Sequence, residues 1–452
     1  MSRLVSERPL PGPARPYRFP SFTRTSQDCG LQVIACHLPG RRLCSARLLL
    51  DAGAEHAAPG ESGVATLAAW ALTEGTERYD AESFAQASER LGAGISIDAS
   101  WDFLQARLSV PASRLEPALD LLAEAVRRPT FPSREVERLR SERLNEIRQE
   151  YAEPNRRANL ALLEAVYTAD SAYARPAGGT ISTVAGLDRE NLERFYRRFA
   201  TPGAASFVLA GDLEGVEVEA MVESLFGDWN ASEAPRPVPK VEEDLTETAV
   251  TLVHRPGSVQ SQILLGHMGT PRLIPDFLPV SLMVSVLGGL FTSRLNLKLR
   301  EEKGYTYGAR AWFDFRHQAG PFGASAAVQT DATVDATADA IEEIRRLRAH
   351  GVSDEELKEA RDYLVGVFPI SFETPGAISS AIAHLIVYGL PDDHYHAYRG
   401  AMEQVSVEEV GAAANQRLRP DRIAIVVVGD AELLETRLKE ASFGPVRVVT
   451  DP

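Results

Sequence analysis

Histidine and cysteine, the side chains that most often hold a catalytic metal, are scarce in this sequence. Nine histidines are scattered over 452 residues, and only His394 and His396 stand close together. Their i, i+2 spacing splays them on a helix, and the adjacent Tyr395 reads as a surface turn, so neither is assigned a metal. Cys29, Cys36 and Cys44 are odd in number, confined to one early region, and show no C-x-x-C spacing. That excludes a disulfide framework; alternating Leu31, Val33 and Ala35 place Cys36 beside a strand, as a buried thiol. No run of Lys and Arg stands out, and 48 basic against 63 acidic residues leave a net charge of −15. Nucleic acid and anionic membrane are therefore excluded as main partners. The apolar stretches Ile423 to Val428 and Leu278 to Phe291 are too short to span a bilayer. Residues 1–20 carry Arg3, Arg8 and Arg15 among prolines with no apolar core. They read as an extended arm rather than a secretory signal, and the cytoplasm is the expected location. Gly60-Glu61-Ser62-Gly63 breaks the nucleophile-elbow pattern, and Gly288-Gly289 lacks the Gly-Lys-Ser/Thr of a phosphate loop.

What is present is a composition of ordinary globular kind, 44% hydrophobic and 25% charged. The length exceeds what one core usually organises, so two domains of about 200 residues each are expected. They read as copies. Pro202 to Asp212 recurs as Pro420 to Asp430, each running through an apolar strand to Gly-Asp. Ser133-Arg134-Glu135 recurs as Ser353-Asp354-Glu355, and Ser353 with Glu356 forms a capping box that predicts a helix start. Arg114 to Arg128 and Asp335 to Ala349 match as amphipathic helices. Between the copies, Pro235, Pro237 and Pro239 favour an extended connector. The expected division is an arm at 1–20, a first domain at 21–229, a linker at 230–245 and a second domain at 246–452. Strands and long helices do not alternate in a βαβα rhythm, so the fold class is α+β.

One segment carries more chemistry than the rest. Gly63-Val64-Ala65-Thr66-Leu67-Ala68-Ala69-Trp70-Ala71-Leu72-Thr73-Glu74-Gly75-Thr76 follows Asp51-Ala52-Gly53-Ala54-Glu55. Downstream come Leu91-Gly92-Ala93, Pro129-Thr130-Phe131-Pro132, Arg255 to Gln262, Gly288 to Leu295, and Leu299-Arg300-Glu301-Glu302-Lys303-Gly304-Tyr305-Thr306-Tyr307. In order and spacing the set resembles the pitrilysin and mitochondrial-processing-peptidase family of zinc metallopeptidases, the inverzincins. That family's active-site helix reads G-x-A-H-F-x-E-H-M-x-F-x-G-T. Here the glycines, Ala65 and Thr76 fit, but the H-x-x-E-H core is Thr66-Leu67-Ala68-Ala69-Trp70. In that core neutral imidazoles bind zinc through a ring nitrogen, and the carboxylate activates the water. Thr66 is a poor ligand, Ala69 holds no base, and the Trp70 indole only donates. Read without any family, the i, i+3, i+4 face of Thr66, Ala69 and Trp70 is a packing face.

The resemblance implies a mostly antiparallel sheet with helices on one face, used twice. It implies that Glu146, 76 residues beyond Trp70, stands where the family has its third zinc ligand. It also implies that Arg300 and Tyr307 stand where the family has an Arg and a Tyr reaching the scissile peptide. Peptide hydrolysis builds negative charge on the carbonyl oxygen, and a fixed guanidinium and phenol aimed there lower the barrier. The expected function is a zinc-less subunit of a two-chain peptidase, supplying Arg300 and Tyr307 to peptides or unfolded polypeptide in a closed chamber. A second chain bearing H-x-x-E-H would carry the zinc, and no cofactor is expected in this one. The alternative is a non-catalytic scaffold like the family's core subunits in respiratory complexes, or a homodimeric peptide-binding clamshell.

Overall fold

The computed structural model describes residues 16–229 and 240–451. Most of the expected arm and linker thus lie outside the described residues. Among the described residues, twelve strands form two six-stranded sheets. The first contains β1 (Thr23–Ser26), β2 (Gln32–His37), β3 (Leu43–Leu50), β4 (Gly94–Ala99), β5 (Leu104–Pro111) and β6 (Ala205–Gly211). The second contains β7 (Ala249–His254), β8 (Gln260–Met268), β9 (Ala309–Phe313), β10 (Pro321–Gln329), β11 (Ala424–Gly429) and β12 (Val446–Val449). Their orders are β1-β2-β6-β3-β5-β4 and β12-β7-β11-β8-β10-β9. Beyond the outermost β1 or β12 the two orders coincide, each built from one parallel pair followed by three antiparallel ones. The class is α+β, and the internal repeat is real. Central β6 and β11 are buried along their whole length, which accounts for their unbroken apolar sequences.

Each sheet packs its own amphipathic helices on one face, as the sequence predicts. Leu119, Leu122 and Val126 of helix Leu115–Arg127 join Leu48, Leu50 and Leu108 in the first core. Ile341, Ile344 and Leu347 of helix Thr333–His350 do the same in the second. The Ser353 capping box is present and starts helix Asp354–Val367, whereas Ser133 opens helix Ser133–Ala152 without capping it.

The opposite face of each sheet is covered by a helix from the other half. Helix Pro154–Val166 starts on Pro154, with the Glu153 carboxylate accepting from the Asn155 and Arg156 N–H groups. Its Ala158, Ala161, Leu162 and Val166 pack on Val253, Leu264 and Val426 of the second sheet. A Cβ at Gly266 of β8 would lie 2.8 Å from Leu162, so the close approach depends on glycine there. Helix Pro375–Val387 starts the same way, with Thr374 accepting from Ala377 N–H. It lays Ile378, Ala381 and Ile382 on Ile34, Leu49 and Val208 of the first sheet. The segment before β1 adds Phe19, buried against Phe372 and Tyr395 of the second half.

Two sequence expectations need adjustment. His394 and His396 open helix His394–Gln404 instead of a surface turn, because Tyr395 turns inward onto Phe19 and Phe372. The described end of the linker is docked: Glu243 pairs with Arg419 and Arg422, and Leu245 is buried. Cys36 and Cys44 are buried free thiols, and burial pushes Cys36 up to about 11. Among the described residues no single helix is long and apolar enough to cross a membrane.

Candidate functional site

Gly63, at φ 97°, turns the chain into helix Val64–Ala71, which packs against helix Ser133–Ala152. The four positions matched to the zinc motif therefore sit on two neighbouring helices. Of the four, only Glu146 carries a usual metal-ligating group, and it is paired with a cation. The Thr66 hydroxyl donates to the Ala177 carbonyl at 3.1 Å, and Ala69 is fully buried. Trp70 is half-buried and packs against the first core. Glu146 is about half exposed (49%) and accepts from the Arg143 guanidinium at 3.0 Å.

Arg143 explains how this region is closed. Its side chain is 7% exposed. Nε donates to the Gly178 carbonyl at 2.8 Å, while Nη1 and Nη2 donate to Glu150 at 2.9 and 3.1 Å. A Cβ on Gly178 would lie 2.3 Å from Nη2, so a larger residue there would push the guanidinium aside. A guanidinium thus stands beside the carboxylates, and loop 176–179 seals the face that Thr66 begins. Zinc does not fit this donor set: one carboxylate already held by a cation, one hydroxyl spent on a carbonyl, a methyl group and an indole. The i, i+3 and i, i+7 spacing of Arg143, Glu146 and Glu150 was the available sequence signal for the ion pairs. Nothing in the sequence pointed to Gly178.

Arg300 and Tyr307 are placed very differently. Arg300 lies on the wide-turned helix Asn296–Glu302, its guanidinium 4.5 Å from the Phe291 ring and its Nε 3.3 Å from Glu301. Phe291 is itself largely exposed. Gly304, at φ 66°, turns the chain out of that helix toward β9. Tyr307 follows on this loop with 94% of its surface exposed. The two side chains stay clear of the second core that holds their neighbours Leu299 and Ala309.

A further polar cluster escaped sequence reading altogether. At the seam between the halves, Glu55 and Asp102 of the first meet His317 of the second. Asp102 Oδ1 accepts from the Tyr173 hydroxyl at 2.8 Å, and its Oδ2 from the His317 backbone N–H at 3.1 Å and the Tyr388 hydroxyl at 3.4 Å. Arg316 stacks 3.6 Å from Trp101 and pairs with Asp314. Burial raises Glu55 above the usual carboxylate range. Burial would lower His317, but its hydrogen bond to Glu55 and the charge of Asp102 prevail and hold it at about 9. These residues are separated by up to 262 positions and follow no motif.

Comparison with known proteins agrees with this architecture. Residues 32–178 match insulinase (peptidase family M16), and residues 186–364 match the peptidase M16 inactive domain. An uncharacterized zinc protease of Mycobacterium leprae is 26% identical over 414 residues, 90% of this chain and 91% of that protein. A non-peptidase homolog of Helicobacter pylori is 24% identical over 354 residues, covering 77% of this chain and 80% of that one. A crystal structure of a peptidase M16 inactive domain from Pseudomonas fluorescens superposes with TM-score 0.84 at 26% identity, covering 91% and 98%. The chain belongs to the pitrilysin-like peptidase family M16. Within it, this is an inactive-type member, lacking the ligands its own helix would need for zinc.

Proposed function

We propose that the chain is the zinc-less subunit of a two-chain M16 peptidase, supplying Arg300 and Tyr307 to a peptide bound against an H-x-x-E-H-bearing partner. The observation that carries this reading is the outward presentation of Tyr307. A phenol that is 94% exposed on a glycine-turned loop adds nothing to the core, and its hydroxyl has no hydrogen-bond partner among the described residues. Its directed donor is available only to something outside the chain. Arg300 is held near a wide helical turn by Phe291, leaving guanidinium N–H groups beyond the one nearest Glu301. Together they are donors suited to charge developing on a scissile carbonyl. The closed first-half helix supplies no hydrolytic group, so the catalytic water belongs to the partner.

The test is reconstitution. The purified chain should not cleave unfolded polypeptide, and adding an H-x-x-E-H relative from the same source should switch cleavage on. A relative equally active without this chain would reduce it to a bystander.

The second reading is a non-catalytic scaffold or homodimer. The Glu301 and Phe291 contacts of Arg300 favour it, since they would hold that side chain in place without any substrate. The name of the Helicobacter relative, a non-peptidase homolog, points the same way.

A further inference from the structure

We propose that Glu55, Asp102 and His317 form a divalent-cation site, zinc by preference, that ties the two halves together at their seam. This site is separate from the sealed helix and departs from the cofactor-free expectation of the sequence. Three turns that are remote in the chain bring its ligands together. Glu55 lies in the short turn after β3, Asp102 between β4 and β5, and His317 between β9 and β10. One ligand atom from each lies within 4.8 Å of the other two.

The histidine is oriented as a ligand. Its Nε2 is 2.7 Å from the Val387 carbonyl oxygen, which only accepts, so Nε2 carries a hydrogen. The other nitrogen, Nδ1, faces Glu55 Oε1 at 3.4 Å and Asp102 Oδ1 at 3.9 Å. Two ligands bound tetrahedrally to zinc at about 2.0 Å stand roughly 3.3 Å apart, close to these separations. A backbone carbonyl holding the far imidazole nitrogen is the usual device for fixing a ligand histidine, and hydroxyls on a ligand carboxylate do the same for the acid. Tyr173 and Tyr388 serve Asp102 in that way.

The independent sign of a missing occupant is Glu55. Its side chain is only 4% exposed, yet Oε2 is buried with no hydrogen-bond partner. Buried carboxylate oxygens are normally satisfied by donors or by a cation. Asp102 already accepts from Tyr173, Tyr388 and the His317 N–H, whereas a proton on Nδ1 reaches only one oxygen of Glu55; a divalent ion held by both carboxylates answers the remaining charge. Arg316, next in the chain, turns its Nε and Nη2 to Asp314 and lies over the Trp101 and Tyr173 rings instead of pairing with Glu55 or Asp102. A cavity of about 520 Å³ borders Asp102 and His317, giving the ion a way in and room for a water as fourth ligand. One nitrogen and two carboxylate ligands around an open position suit zinc over magnesium or calcium.

The experiment titrates zinc chloride into the chelator-stripped full chain by calorimetry, and locates the ion by anomalous scattering at the zinc edge in soaked crystals. One ion per chain is expected, with micromolar or tighter Kd and an anomalous peak between Glu55, Asp102 and His317. Glu55→Gln and Asp102→Asn should each weaken binding at least tenfold, while Glu146→Gln leaves it unchanged. Absence of saturable binding overturns the site, leaving a protonated His317 as the clasp. So does binding that survives both substitutions or that depends on Glu146. Should either variant fail to fold, the position of the wild-type anomalous peak decides.

Discussion

The two halves share a strand order but treat the segment after their third common strand in opposite ways. In the first half, the helix after β3 is closed: Thr66 holds a carbonyl, Ala69 is buried, and Arg143 fills the space beside Glu146. In the second, the segment after β8 runs through Gly288-Gly289 and a wide helical turn to end on exposed Phe291 and Tyr307. Closure spends each polar group on a neighbour in the same chain; openness leaves donors for another molecule. This contrast between a closed copy and an open one is what the proposed division of the site between two chains rests on.

The largest expected effect tests the open side. In a reconstituted complex, Tyr307→Phe should lower turnover by about 100- to 1,000-fold, the usual loss for one donor to a developing oxyanion. Arg300→Lys keeps the charge, loses the planar fork, and should also fall well below wild type. Both effects should lie mainly in kcat, because the interaction matures in the transition state. Unchanged turnover with Tyr307→Phe and Arg300→Ala combined would leave both halves inert and dissolve the contrast.

Stability should show the reverse asymmetry. Arg143→Ala strips a buried guanidinium from Glu150 and the Gly178 carbonyl, at a cost of about 3 kcal/mol. Arg300→Ala, at a side chain about one-third exposed (36%) and outside the second core, should change stability by no more than about 0.5 kcal/mol. Urea unfolding of the two variants measures the difference; equal losses would mean that Arg300 is as structural as Arg143. It follows that Thr66→His, Ala69→Glu and Trp70→His together should not create a Glu146-dependent zinc site while Arg143 remains. Uptake by that triple variant, abolished by Glu146→Gln, would show the closure to be weaker than its geometry.

Acid should act first on the second half. His267 of β8 is buried and neutral: Nδ1–H donates to the Met268 carbonyl at 2.8 Å, and Nε2 accepts from the Arg419 N–H at 3.2 Å. Burial lowers it from 6.5 to about 4. The unfolded chain therefore binds the extra proton first, and stability is lost as pH falls from about 6.5 toward 4, by up to roughly 3 kcal/mol. Hydrogen exchange at pH 5 should show β8 and β11 losing protection before β3 and β6. A His267→Gln variant with an unaltered acid profile would remove this histidine from the account.

A smaller loss than that of Arg143→Ala is expected for Thr66→Val, which leaves the Ala177 carbonyl without its donor and should cost about 1 kcal/mol. No measurable change in thermal unfolding would show that water replaces the hydroxyl, making that closure leaky.

What the sequence made legible follows from the range of the interactions involved. The Ser353 capping box, the apolar central strands and the loss of zinc ligands are local facts, readable over a few residues. The two-half repeat was legible because both copies keep Gly-Asp after their central strand. Closure by Arg143 was not, since it rests on a backbone carbonyl 35 positions away in a loop without periodicity. The seam cluster was more remote still, its members scattered over three turns. His394 and His396 misled for a related reason: Tyr395 between them packs on Phe19, far upstream, a contact no local pattern shows.

The exchanged helices bear on how the protein is made. While the chain emerges, the first sheet lacks the cover that Pro375–Val387 later provides, and Pro154–Val166 has no sheet to lie on. Both surfaces are apolar: the completed first sheet (to Gly211) waits until Pro375–Val387 is made, and Pro154–Val166 waits until central β11 (Ala424–Gly429) is made. Translation therefore ends with two incomplete layers that can close only on each other, and a truncation before residue 387 leaves an adhesive surface rather than a smaller stable protein.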